Sequence, residues 1–308
     1  RGIAKAYRAL YYLDLARLYD PLYAVSTERP EYQAALATIE GLTVPIVDEN
    51  TTEADSKNNP RLPREKMFQF ILNDLNDAET CLANFTPGAK NIPSLAVVYG
   101  LKARAYLWLG GFDKSNYAQA ATFARKAIDT SGATILTEAQ WLDPKTGFNT
   151  PNNSWMWYYN ISGNNMGNLC NPSGHFAGEN DWGYNTLTRF AIQRWMYDRL
   201  NRSDFRKQSF IDPDRETYPA SYYKWSSEAY LKAYPFEEIP DYASFKIRCK
   251  AGDWQTYSIG GAVDWPMMRV EEMYLIEAEA IGMTEGEAAG AAKLEAFMKE
   301  YRDPNYSY

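Results

Sequence analysis

The sequence predicts a mostly α-helical protein, a scaffold of helical hairpins with a large irregular loop region carrying a few short strands. Three observations lead there. Apolar residues recur at three- and four-residue spacing in stretches near both ends of the chain. Glycine and proline punctuate those stretches at intervals suited to paired helices. Between them, residues 147–186 lose all periodicity and hold ten Asn, six Gly and eight aromatics.

The first helix is expected over residues 2–19, with Ile3, Tyr7, Leu10, Tyr11, Leu15 and Leu18 on a broad stripe. Asp20-Pro21 stops it, because proline disfavours helix in the residue before it. A short helix is expected near Glu31 to Glu40, and Leu42 to Val47 reads as extended. The acidic run Asp48 to Asp55 lacks the glycine and terminal glutamate of a calcium loop and reads as a solvated turn.

Pro63 opens a helix at its first turn, with Phe68, Ile71, Leu72, Leu75, Ala78 and Leu82 marking the buried face. Pro87-Gly88 breaks it. Ser94 then caps a helix to Gly110, and a partner follows from Tyr117 to about Asp129. Small residues lie where this pair would touch, as in a tetratricopeptide hairpin.

In the loop region, Trp155 to Ile161 is expected as a short strand and Thr186 to Leu200 as a helix. Tyr218 to Ile259 is irregular, and its many rings fit binding loops and core-covering strands equally well. Trp265 to Ala280 reads as a helix begun by Pro266, with its apolar residues at helical spacing. Gly282 is the expected break before a last helix over Glu285 to Tyr301.

On this reading the chain is one domain, 1–308. Its scaffold occupies 1–140 and 263–308, and a ligand-binding subregion occupies 141–262. The abrupt start at Arg1-Gly2-Ile3, already in a helical pattern, suggests an internal portion of a longer protein.

Composition narrows function. A formal charge of −7 disfavours nucleic acid, whose phosphates require basic patches. No apolar run is long enough to span a bilayer. Cys81, Cys170 and Cys249 lie far apart and read as isolated thiols, and His175 is the only histidine. No cofactor is expected; calcium stays possible without a motif to support it.

The excess of aromatic residues, 15% of the chain, is the informative feature. Rings stack on the C–H face of a sugar while Asn and Asp engage its hydroxyl rim. Trp182, Tyr184, Asp181, Asn180, His175 and Asn168 are therefore the candidate ligand contacts. Arg269, Glu272 and Glu279 fall on one side of the expected helix at 265–280. They suit an internal ion-pair network better than an acid/base pair.

The pattern W-P-x-x-R-x-x-E-x-x-L-x-x-A-E-A, filled by Trp265, Pro266, Arg269, Glu272, Leu275, Ala278, Glu279 and Ala280, resembles the signature helix of the SusD/RagB family. Arg8 to Asp20, Val44-Pro45, Met67 to Leu82, Ser94 to Leu109, Asp204-x-Arg206 and Tyr301 to Tyr306 resemble further family elements in the same order.

The resemblance implies a nutrient-binding, lipid-anchored protein of the outer membrane, facing the cell surface, on a tetratricopeptide-like scaffold. Its ligand would be an oligosaccharide, and its partner a SusC-like TonB-dependent transporter. The family's lipid-carrying N-terminal cysteine is not in this sequence, so membrane contact would run through an anchor outside it. By the same analogy Arg269, Glu272 and Glu279 are structural.

A non-enzymatic glycan-capture protein is the expectation. The alternatives are an endo-acting glycoside hydrolase, which needs two carboxylates roughly 5–9.5 Å apart, and a peptide-binding adaptor.

Overall fold

The structure, a computed structural model, describes residues 1–20, 37–187 and 189–308, and of Asn168 the backbone alone. These residues group into two compact units. One comprises 1–132 with 273–290; the other comprises 133–272 with 291–308. The helix expected over Glu31 to Glu40 falls mostly outside the described residues.

The first unit is built on α1 (Gly2–Tyr19), α2 (Arg64–Leu82), α3 (Leu95–Gly110) and α4 (Tyr117–Ser131). Their boundaries match the expected caps. Ser94 accepts a hydrogen bond from the Val97 amide, and Gly132 closes α4 in the left-handed region. Ala6, Ala9, Leu10 and Leu13 of α1 are buried with Met67, Ile71, Leu75 and Ala78 of α2.

Charge then fixes their register. Asp74, buried on α2, accepts from Lys5 at 2.7 Å and from Arg8 at 2.6 and 2.8 Å. Those bonds raise the Lys5 ammonium above its ordinary pKa. In the α3–α4 hairpin Gly110 leaves room for the Tyr117 ring, since a Cβ there would lie 2.6 Å from a ring carbon.

The chain returns to this unit through α5 (Val270–Glu285), followed by α6 (Glu287–Tyr301). Gly282 is not the break. α5 runs on through it, and the turn is made at Gly286, whose φ of +103° suits glycine. Gly282 is a packing position instead: a Cβ on Gly290 would lie 2.5 Å from its Cα and 2.8 Å from the Ala278 carbonyl oxygen. Gly290→Ala should therefore cost about 1–3 kcal/mol in urea unfolding. Gly88→Ala, with nothing within 4 Å, should cost far less.

The second unit has little regular structure. β1 (Trp155–Tyr159) pairs antiparallel with β2 (Trp265–Arg269), with register shifts after Trp155 and Trp157. The expected helix at Trp265 thus begins only at Val270. Proline carries no N–H, and in a two-stranded ribbon Pro266 does not have to donate. Val270 enters α5 with its amide bonded to the Ser154 carbonyl, 2.9 Å away.

The helix expected over Thr186 to Leu200 shrinks to Arg194–Asp198. Its first half is claimed by extended bridging, with Ala191 against Ala243 and the Ile192 amide on the Tyr242 carbonyl. The rings of 218–259 form a core of their own: Tyr223, Tyr230, Phe236, Phe245 and Trp254 pack with Ile211 and Ile239.

The expected Arg269–Glu272–Glu279 stripe does not form as such. Arg269 lies in β2, and its guanidinium is 3.7 Å from Glu271. Glu279 is exposed, while the buried acids are Glu271 and Glu277. Glu277 pairs with Arg125 in the first unit. In the second, Glu271 accepts from buried Arg302 at 3.1 Å. Arg269 leaves the stripe because the helix starts five residues later than expected and the strand claims it.

Around Glu271 lies an unusual concentration of cations. Trp141 has Lys246, Arg269 and Arg302 over its ring at 5.2, 5.6 and 4.9 Å. Burial, then the charges of Arg269 and Arg206, push the Lys246 ammonium down to about 8 from an ordinary 10.5. The folded state therefore gives up this proton before the unfolded chain does.

The stability contributed by the neutral amine is complete above pH 10.5 and lost as pH falls through about 8. Lys246→Met should raise the unfolding free energy by about 2–3 kcal/mol at pH 7. The gap should close as pH approaches 10.5. An equal gap at pH 7 and pH 10 would refute this.

Candidate functional site

The loop at 171–190 is assembled from the inside outward. Asn171 caps the short helix Pro172–Phe176 by accepting from the Gly174 amide at 2.7 Å. Two glycines then meet. A Cβ on Gly183, whose φ is +81°, would lie 2.7 Å from the Gly174 Cα, and one on Gly174 would lie 2.3 Å from the Leu169 carbonyl oxygen. That approach, closed to any larger residue, sets Tyr184 against His175 with ring centroids 5.1 Å apart and planes 15° from parallel.

Beneath the loop, Trp182 packs with Ala177 and Cys249 in a small buried cluster. Burial pushes the Cys249 thiol up to about 12, so it stays protonated and inert. Glu179, fully buried, receives the Ser226 amide at 3.0 Å and the Arg248 guanidinium. The Gly178 carbonyl accepts from Arg189 at 2.6 Å and from the Tyr230 hydroxyl at 3.2 Å. All of the strip 177–182 except Asp181 is therefore buried, and Phe176 and Tyr184 on either side of it reach the surface.

What surfaces is a run of rings. Phe176 lies 4.8 Å from Phe190, 5.7 Å from Trp265 and 6.2 Å from His175 between centroids. Tyr184, Phe190 and Phe176 are 50, 49 and 38% exposed. Tyr159, 51% exposed, is the β1 partner of Trp265. Successive centroids 5–6 Å apart match the spacing of sugar rings in a chain, and uncovered rings of this density suit stacking. Asn160 and Asp181 are exposed polar groups of the same loops, and desolvation raises the proton affinity of the Asp181 carboxyl.

The six candidate contacts divide. Tyr184, Asp181 and His175 keep solvent contact, and Tyr184 and His175 stack together. Asn180 and Trp182 do not face solvent: Asn180 is 0% and Trp182 8% exposed, so both support the loop from within. The side chain of Asn168 lies outside the described residues.

Phe176, Phe190, Trp265 and Tyr159 are rings of this face that composition alone does not single out. In sequence, Trp265 reads as a helix start. In β1 the fully buried Trp155 and Trp157 give way to exposed Tyr159, a switch that strand alternation signals only when the register is known.

No protein-family profile matches this sequence, and no curated protein matches it significantly. Solved structures do. A SusD-like carbohydrate-binding protein of Bacteroides vulgatus superposes with a TM-score of 0.68 at 19% identity, covering 100% of this chain and 56% of its own. A SusD superfamily protein of Bacteroides thetaiotaomicron gives 0.64 at 15% identity, over 99% of this chain and 59% of its own.

Surface glycan-binding protein A of Bacteroides thetaiotaomicron, solved in complex with laminarihexaose, gives 0.60 at 14% identity, over 97% and 60%. The chain spans little more than half the length of these structures. From end to end, it has the fold of the SusD-like proteins.

Proposed function

We propose that this protein captures oligosaccharide or polysaccharide chains on the ring-lined face formed by Tyr159, Trp265, Phe176, Phe190, His175 and Tyr184. The observation that carries the reading is the exposure of Phe176, Phe190 and Tyr184 on a loop anchored from within by Ala177, Asn180 and Trp182. Rings left uncovered at such cost in apolar hydration suit a ligand with an apolar face. The laminarihexaose held by a protein of like fold supports the same ligand class.

In this reading sugars are held and not cut. Delivery to a TonB-dependent transporter from a lipid-anchored position on the outer membrane completes the proposal, drawn from the SusD-like fold and the sequence resemblance.

A hydrolase reading has one observation in its favour. Asp181 is an exposed carboxylate with raised proton affinity, owing first to desolvation and then to Asp253. A glycan panel that includes laminari-oligosaccharides, run beside a reducing-end assay, separates the two. Binding without release of reducing ends is expected. Release abolished by Asp181→Asn would establish the hydrolase, and no binding to any glycan would end the capture reading.

A further inference from the structure

The cations around Trp141 are not matched one for one. Arg206 pairs with Asp204 at 2.6 Å, Arg302 with Glu271 at 3.1 Å, and Arg269 shares Glu271 at 3.7 Å. Asp303, held low by hydrogen bonds from Ser203 and Asn201, also feels the charge of Arg206. Four cations thus face three carboxylates, and among the described residues no acid pairs with Lys246.

The charges are also sorted by depth. The side chains of Asp204, Glu271 and Arg302 are 2, 3 and 2% exposed. Those of Arg206 and Arg269 keep 26 and 23%, and Lys246 is partly exposed. Arg302 is thus buried with the acids, while Arg206, Arg269 and Lys246 keep part of their surface, in a chain whose net charge is −7. Such a patch attracts anions against the field of the whole protein.

Phe148 forms a floor common to two of these cations, with Lys246 at 5.0 Å and Arg269 at 5.1 Å from its ring centre. A planar, singly charged acid fits this setting, since guanidinium and ammonium donors bond carboxylate oxygens strongly. We propose that Lys246 and Arg269, which share the Phe148 ring, form a binding site for one carboxylate group, carried by an acidic sugar or by a small organic acid. The site is separate from the ring-lined face and does not rest on its reading.

Bound carboxylate would supply the missing negative charge and hold Lys246 protonated. Affinity should therefore fall as Lys246 deprotonates, with Arg269, Arg206 and Arg302 opposing its charge and Glu271 favouring it.

The test follows intrinsic tryptophan fluorescence, with Trp141 beneath the cluster, during titration with sodium glucuronate, sodium acetate and glucose at constant ionic strength. Wild type should bind one or both carboxylates and not glucose. Lys246→Met should weaken that binding at least about tenfold, and Lys246→Arg should keep it. Between pH 6.5 and 9.5 the wild-type affinity should fall at least about fivefold, and that of Lys246→Arg should not.

Glucuronate binding much tighter than acetate would make the source an acidic sugar, and equal binding a free acid. Binding of neither carboxylate, or equal binding by wild type and Lys246→Met, would overturn the site.

Discussion

Arg302→Met is expected to destabilise the protein by about 3–5 kcal/mol, because it leaves Glu271 buried without its nearest cation. Arg302 donates to the Leu136 carbonyl at 3.0 Å, to the Tyr301 carbonyl at 2.8 Å and to Glu271 at 3.1 Å. Its guanidinium also lies over Trp141. Burial pushes its pKa down to about 10, which marks how much desolvation these contacts must offset.

The pair is therefore costly to keep and costlier to break. Removing both members, as Arg302→Met with Glu271→Leu, should recover at least half of the loss. Chemical unfolding of the single and double variants measures this directly. A single variant within about 0.5 kcal/mol of wild type would show that the network holds nothing together.

Trp182→Ala should cost a similar amount, about 3–5 kcal/mol, through the cavity it leaves. The indole is 8% exposed and fills the space under Gly174, with Gly261 against its far edge. Among the described residues its N–H has no hydrogen-bond partner, so Trp182→Phe gives up no bond there and should cost far less. Tyr184→Ala, at an exposed ring, should barely change the melting temperature. Thermal unfolding of the three variants orders them. If Trp182→Ala melts with wild type, the loop does not rest on that ring.

The helices of the first unit were legible in their bounds, set by signals such as Asp20-Pro21, Pro63 and Ser94, but not in every face. The expected Tyr11, Leu15 and Leu18 of α1 are exposed, and Ala6, Ala9, Leu13 and Ala16 are buried in their place. Trp265 to Arg269 was not legible as a strand, since five residues entering a long helix extend its apolar spacing by chance. Nothing local reports that Trp155 to Tyr159 lies alongside.

The site was half legible for a related reason. Composition marks a loop as rich in rings but not which rings are covered. Trp182 and Phe176 look alike in sequence, yet one is floor and the other surface. The choice is made by backbone contacts such as Gly174 on Gly183, nine residues apart in a stretch without periodicity. Of the expected charges, Arg269 lies on a strand and Glu279 is exposed, while Glu271 and Glu277 form buried ion pairs that spacing alone does not point to.

The most direct measurement is isothermal titration of wild type and Phe176→Ala with the tightest ligand of the glycan panel. Phe176 joins three other rings of the face and carries no hydrogen bond of the loop's support. Stacking on such a ring is worth roughly 0.5–1.5 kcal/mol, so the variant should bind about two- to twelvefold more weakly at an unchanged melting temperature. Equal affinity in the two proteins would place the sugar elsewhere and contradict the account.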